Sequence, residues 1–398
     1  MTKYPGYELN DPDDPTKGGK IGDVEVVFDV TPTDDNAYQN KLDEALIAQA
    51  DAAADDKVDM FLCEADYAKK YVAQGDYVLD VKTDLGLTDD ELSTQLDYTK
   101  GVMTDENGKL RGVSWQVASA GMIYRRDMAE EVFGVSEPED VQALFSDWSK
   151  YEESAKKLAD AGKICNSAYD TFRIYSNNAA DPFVVDQKVN VSDDMKAWVD
   201  QSKELIDAKA VSNDALWSDE WAAGKQTSSN VFAYFGPAWF FNFCLDFGTE
   251  GTVATDGNWG FIEGPQNFYW GGTWICGVNG TDNADLVADI MRKLTCDADV
   301  MKDMAVEYTE CVNNTDVLTD LASSDEGNVE LLGGQNPYQM MIDIANGIDT
   351  SNMTAYDQAC IESFQGKMKD YFSGESDYDT AVAAFKSEVV EKHPDLSE

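Results

Sequence analysis

Residues 108–134, GKLRGVSWQVASAGMIYRRDMAEEVFG, hold two strand-like runs in close succession. Asn107-Gly108 marks the turn that opens them. LRGVSWQV reads as the first strand, with Trp115 at its end, and SAGMIYRRD (119–127) reads as the second. Upstream, VEVVFDV (24–30) reads as a buried strand. Tyr38, Leu42, Ala45 and Gln49 recur at helical spacing within 36–53. VDMFLC is the next strand, followed by a helix over 67–74. Strand, helix, strand in that order predicts a parallel α/β sheet.

Downstream the pattern is mostly helical. Leu144, Trp148, Tyr151 and Leu158 form one apolar stripe, and Met195, Trp198, Leu205 and Ile206 form another. VFAYF (231–235) returns to a strand before the turn Gly236-Pro237, and WGFIE and WICGVN are further strand-like runs. DLVADIMRKL and the last 60 residues read as helix. A chain of 398 residues, 43% apolar, suits two domains rather than one core. No Pro/Gly/Ser-rich joint separates them, so connections that cross between lobes more than once are expected. The start, MTKYPGYELNDPDDPTKGGK, reads as a flexible leader.

Charge narrows the ligand class. Thirty basic side chains stand against 76 acidic ones, a net of −46. That field repels nucleic acid, phosphorylated ligands and anionic lipid, spares a neutral ligand and attracts a cation. Spread over a solvated surface it also keeps a protein soluble. No run of 18 apolar residues could span a membrane.

Chemistry is narrowed by what the sequence lacks. Its one histidine, His393, lies five residues from the end, which removes Ser–His–Asp and Cys–His nucleophile systems and His-ligated metal sites. The seven cysteines are odd in number and lack CxxC spacing, so buried apolar thiols are expected rather than a disulfide framework. No P-loop occurs, and DPDDP lacks the spacing of a calcium loop. No cofactor and no metal is expected. A glycosidase needs only two carboxylates, so that class stays open, but none of the 76 sits in a recognisable motif.

Aromatic side chains at turns and strand ends carry the binding reading. A sugar presents a flat apolar face to a ring and hydroxyls to polar groups. Trp115 ends its strand, Trp239 follows Gly236-Pro237, and Trp270 and Trp274 flank a Gly pair in YWGGTW. Glu64, Asp66 and Tyr67 follow the strand VDMFLC, at the carboxyl end where open α/β sheets bind ligands. Trp148 and Trp198, on helical stripes, are expected in the core, as are Phe232, Phe235, Phe241 and Phe243. Trp217 is a weaker ligand candidate.

Four landmarks in order resemble the extracellular solute-binding proteins of carbohydrate ABC transporters, the group containing maltose-binding protein. They are VDMFLCEADYAKKYVAQG; the stretch 108–134 with its tyrosine-basic-basic-aspartate end; Gly224-Lys225 before VFAYF and the Gly-Pro-Ala-Trp turn; and WGFIEGP followed by GGTW. The resemblance runs from about residue 20 to 395. It implies an α/β, two-lobed periplasmic-binding-protein-like fold with the sugar in a cleft and hinges at the crossing segments. An N-terminal lobe of 20–116 and 279–313 and a C-terminal lobe of 117–278 and 314–398 would follow the leader 1–19. By position it implies ligand contacts from Thr33, Asp35, Asp66, Trp115, Gln116, Trp239 and Trp274. Ala118, Ser114 and the inserted Ala238 depart from maltose-binding protein's own pattern. The implied protein is no enzyme. It is an extracellular, lipid-anchored monomer that hands an oligosaccharide to ABC permease subunits, with malto-oligosaccharides favoured and β-mannan or xylan fragments as alternatives. A polyamine held between Glu64 and Asp66 is the other binding reading.

Overall fold

The computed structural model describes residues 1–33, 36–73 and 75–398. The chain forms two compact units. Unit 1 comprises residues 1–116, 272–307 and 312–317; unit 2 comprises 117–271, 308–311 and 318–398. The chain therefore changes unit first after Gln116, then after Gly271, seven residues before the expected 278/279, and several times between 307 and 318.

Twelve strands lie among the described residues. They are β1 (Tyr7–Leu9), β2 (Gly19–Ile21), β3 (Val24–Val26), β4 (Met60–Glu64), β5 (Val113–Ser114), β6 (Ser119–Arg125) and β7 (Val184–Val185), with β8 (Lys188–Val189), β9 (Ala233–Pro237), β10 (Trp259–Ile262), β11 (Phe268–Tyr269) and β12 (Thr273–Gly277).

In unit 1, β1, β2 and β3 form an antiparallel meander. This corrects the expected flexible leader. Residues 1–19 are tied down: Tyr4 is buried with its hydroxyl on Asp289, and Lys3 pairs with Asp303 and Glu307. A second correction concerns 24–30. Strand β3 ends at Val26, and Val27 and Val30 stand 79% and 66% exposed. Apolar content marks a strand former, but burial requires a partner surface. Here the backbone of the run's first half is already spent on β2.

The main sheet of unit 1 has the order β4-β12-β5. The expected parallel neighbours are antiparallel pairs. Strands β4 and β5 run the same way, but β12, some 160 residues later than β5, lies between them and pairs antiparallel with both. The helix expected within 36–53 is Ala37–Ala48, five residues short at its end, and the one expected from Tyr67 is Ala65–Ala73.

In unit 2 the central strand is β6, buried at all seven positions. It pairs antiparallel with β10, β11 and β9. Parallel bridges appear here, Ile164 to Val231 and Ser167 to Ser212, extending the sheet past β9. The Arg125-Arg126-Asp127 landmark is structural. Buried Arg125 donates to the carbonyls of Gln226, Thr227 and Ser229 and to Asp127. Arg126 donates to those of Trp259, Ser136 and Leu332. Two guanidiniums thus gather loop carbonyls that burial would otherwise orphan. A second core joins Trp198, Phe172, Phe364, Phe372 and Phe385. Trp198 donates its indole N–H to the carbonyl of Ala168 at 3.1 Å. Trp148 stacks on Tyr175 with ring centroids 4.4 Å apart. All seven cysteines are free thiols, six of them buried.

Candidate functional site

Unit 1 brings several expected residues to one end of its main sheet. The register pairs Glu64 with Thr273 and Ser114 with Trp274. The carboxyl ends of β4 and β5 therefore meet beside the start of β12. Glu64 closes β4, Asp66 sits half-buried in the first turn of Ala65–Ala73, and Trp115 and Gln116 leave β5. Thr273 donates its hydroxyl to the Glu64 carboxylate, so that carboxylate is fixed in direction. Tyr67 is buried against Tyr38 and Tyr71, with centroids 6.3 and 6.1 Å away. Burial raises its phenol well above the ordinary tyrosine range, with the Cys63 thiol and Glu64 adding to the effect. Gln116 is buried, its N–H on the Ser114 hydroxyl at 3.1 Å. Thr33 is exposed in irregular chain. Asp35 lies outside the described residues.

Trp274 corrects the sequence expectation. The side chain is 1% exposed, and its indole N–H is donated to the carbonyl of Thr99 at 2.9 Å. On a pleated strand neighbours alternate faces. Thr273 turns to Glu64, so Trp274 turns inward, where a backbone acceptor satisfies its one polar atom. It has no free face for a ligand.

Unit 2 assembles the other rings. Trp239 lies on the helix Ala238–Cys244, which starts immediately after Pro237. Its indole N–H is donated to the carbonyl of Trp270 at 3.0 Å, and the two ring centroids are 5.3 Å apart at 71°. Trp270 is itself largely buried, enclosed by Trp239, Trp217 and Phe240, with the Arg173 guanidinium 6.0 Å from its ring. It therefore backs the patch rather than fronting it. Gly271 and Gly272, at φ of +72° and +111°, turn the chain between Trp270 and Trp274; side-chain-bearing residues rarely adopt such angles.

Two further rings complete the patch. Trp217 is 61% exposed and packs on Trp221 and Trp270 at 5.4 and 5.7 Å. Phe243, expected in the core, is 80% exposed and meets Trp239 edge-on at 6.4 Å. Its spacing held the signal. Proline before a helix marks its first turn, and residues four apart then share a face, so a helix starting after Pro237 puts Phe243 beside Trp239. For Trp217 the run LWSDEW offered only a capping serine before a short helix. Behind the patch lies Asp170, fully interior, accepting from the Trp221 indole N–H at 3.0 Å and the Ser167 N–H at 2.8 Å. Burial lifts its carboxyl to about 7 despite those donors. No group of side chains among the described residues could hold a metal ion. Among the described residues no helix is long and apolar enough to cross a membrane.

No protein-family model matches this sequence, and no curated protein does so either. Solved structures do match. One, described as an extracellular solute-binding protein family 1, is similar at a TM-score of 0.75 and 17% identity over 92% of each chain. The ABC transporter associated binding protein of B. animalis subsp. lactis Bl-04, in complex with β-1,6-galactobiose, matches at 0.68 and 16% over 94% of each. Maltose-bound MalE3 of T. maritima matches at 0.65 and 15%, over 93% of this chain and 92% of that one. At such identities the likeness is one of fold: this chain has the α/β fold of the extracellular solute-binding proteins of ABC transporters.

Proposed function

We propose that the protein is the solute-capturing component of an ABC importer and takes up a neutral oligosaccharide without chemically changing it. The observation that carries this reading is the aromatic patch of unit 2, where Trp217, Trp239 and Phe243 reach solvent over buried Trp270, Trp221 and Phe240. Rings with open faces suit the apolar side of a sugar. The fold's sugar-bound relatives support the same class, and the maltose complex supports a lean towards α-1,4-linked gluco-oligosaccharides, with β-mannan and xylan fragments next.

A cationic ligand is the weaker reading. Arg173 already lies over Trp270, so a second cation there would meet a like charge. Glu64 is already directed at Thr273. The reading places the protein outside the cell as a lipid-anchored monomer working with permease subunits. Calorimetric titration tests it, using a panel of gluco-, manno-, xylo- and galacto-oligosaccharides with spermidine as the cationic arm. Micromolar or tighter binding of one sugar series, about −8 kcal/mol or better, and no release of reducing ends is the expected result. Binding of spermidine alone, or turnover of the sugar, would replace it.

A further inference from the structure

Trp217 combines two features seldom found together. Its backbone φ is +69°, in the left-handed region that bulky residues avoid, and its ring stands 61% exposed. Such a conformation is strained and persists only where surrounding structure imposes it. Here Ser218 imposes it. Its side chain accepts from the Trp221 N–H at 3.3 Å, and its own N–H is donated to the Ala215 carbonyl at 3.1 Å. The strain does not bury the ring, so core packing does not account for it. It aims the ring along the patch, in contact with Trp221 and Trp270.

The four rings are linked by successive contacts. From Phe243 to Trp239 is 6.4 Å, from Trp239 to Trp270 5.3 Å, and from Trp270 to Trp217 5.7 Å. Phe243 with Trp239, and Trp239 with Trp270, cross at 74° and 71°. In an edge-on contact only one of the two rings gives a face to its neighbour. Of the two interior rings Trp270 is buried and Trp239 half-buried, so solvent reaches the series at Trp239 and at its two ends.

We propose that Trp217 and Phe243 are the two end subsites of a series that includes Trp239, making this a receptor for saccharides of three or more units and setting its selectivity for chain length. This rests on the proposed sugar-binding function and names the length class of its ligand. Neither ring holds a core together, so both can be removed from a folded protein.

The test is a chain-length ladder. Wild type, Trp217→Ala, Trp217→Phe, Phe243→Ala and Trp239→Ala are titrated calorimetrically with glucose, maltose, maltotriose and maltotetraose. If wild type prefers another series of the panel, the ladder of that series is used. Wild-type affinity should climb with each unit up to three. Trp217→Ala and Phe243→Ala should each lose tenfold or more on the trisaccharide and under twofold on the monosaccharide. Trp217→Phe should recover most of the loss, and Trp239→Ala should weaken every rung. Melting temperatures of both end variants should match wild type. An end variant that binds the trisaccharide like wild type, or weakens all rungs by one factor, overturns the assignment of that ring while leaving the sugar-binding function intact. A wild type that binds no saccharide overturns the function and this inference together.

Discussion

Trp274 in unit 1 and Trp217 in unit 2 had opposite fates. The first sits beside a glycine pair and ends as an interior ring with its N–H paired to Thr99; the second sits in an acidic loop and ends largely in solvent. A tryptophan near a turn is thus not by itself a ligand residue. What separates the two is where the local backbone points the side chain and whether a buried acceptor awaits the indole.

The largest expected effect breaks the comparison on the unit 1 side. Trp274→Ala should destabilise the fold by about 3–5 kcal/mol, the usual cost of removing a buried large aromatic, measured by denaturant unfolding. Protein that remains folded should bind sugar with wild-type affinity. A stable variant with weakened binding would return Trp274 to the site.

The next test probes the buried support behind the unit 2 patch. Asp170 holds its proton to about 7 when folded, against 3.8 as its ordinary value. Between those values the native chain binds more protons than the unfolded one, so stability falls as pH rises from about 4 to about 7. The contribution levels off above 7 and amounts to about 4 kcal/mol at most. Asp170→Asn should remove this slope in melting experiments across that range and be the more stable form at pH 8. Parallel pH profiles for the two proteins would show instead that Asp170 ionises freely.

A smaller effect sharpens the site itself. Trp239→Ala should cost about 1–3 kcal/mol of sugar binding, read by calorimetry. The helix Ala238–Cys244 should survive, because Phe240 and Phe241 carry its packing. Unaltered affinity would move the binding surface off unit 2. Smallest of all is the response to salt. A neutral ligand desolvates few full charges, so affinity at low and high ionic strength should agree within twofold. A tenfold loss in salt would favour the cationic ligand.

Much of this was legible from residues alone. Period 3.6 placed the helices Ala37–Ala48 and Asp193–Asp207, and short apolar runs placed β4, β6, β9 and β10. Such patterns are local, and local backbone preference fixes them. Tertiary structure decided which strands became neighbours. Nothing within reach of β4 and β5 in sequence says that β12 will lie between them, or that VEVVFDV will lose half its length as a strand. The site divides in the same way. Composition determined that the chain has rings and carboxylates to spare, no histidine chemistry and a field that tolerates neutral ligands. Only the fold decided which rings keep an open face, because exposure depends on partners distant in sequence: Thr99 for Trp274, and Trp270 for both Trp239 and Trp217.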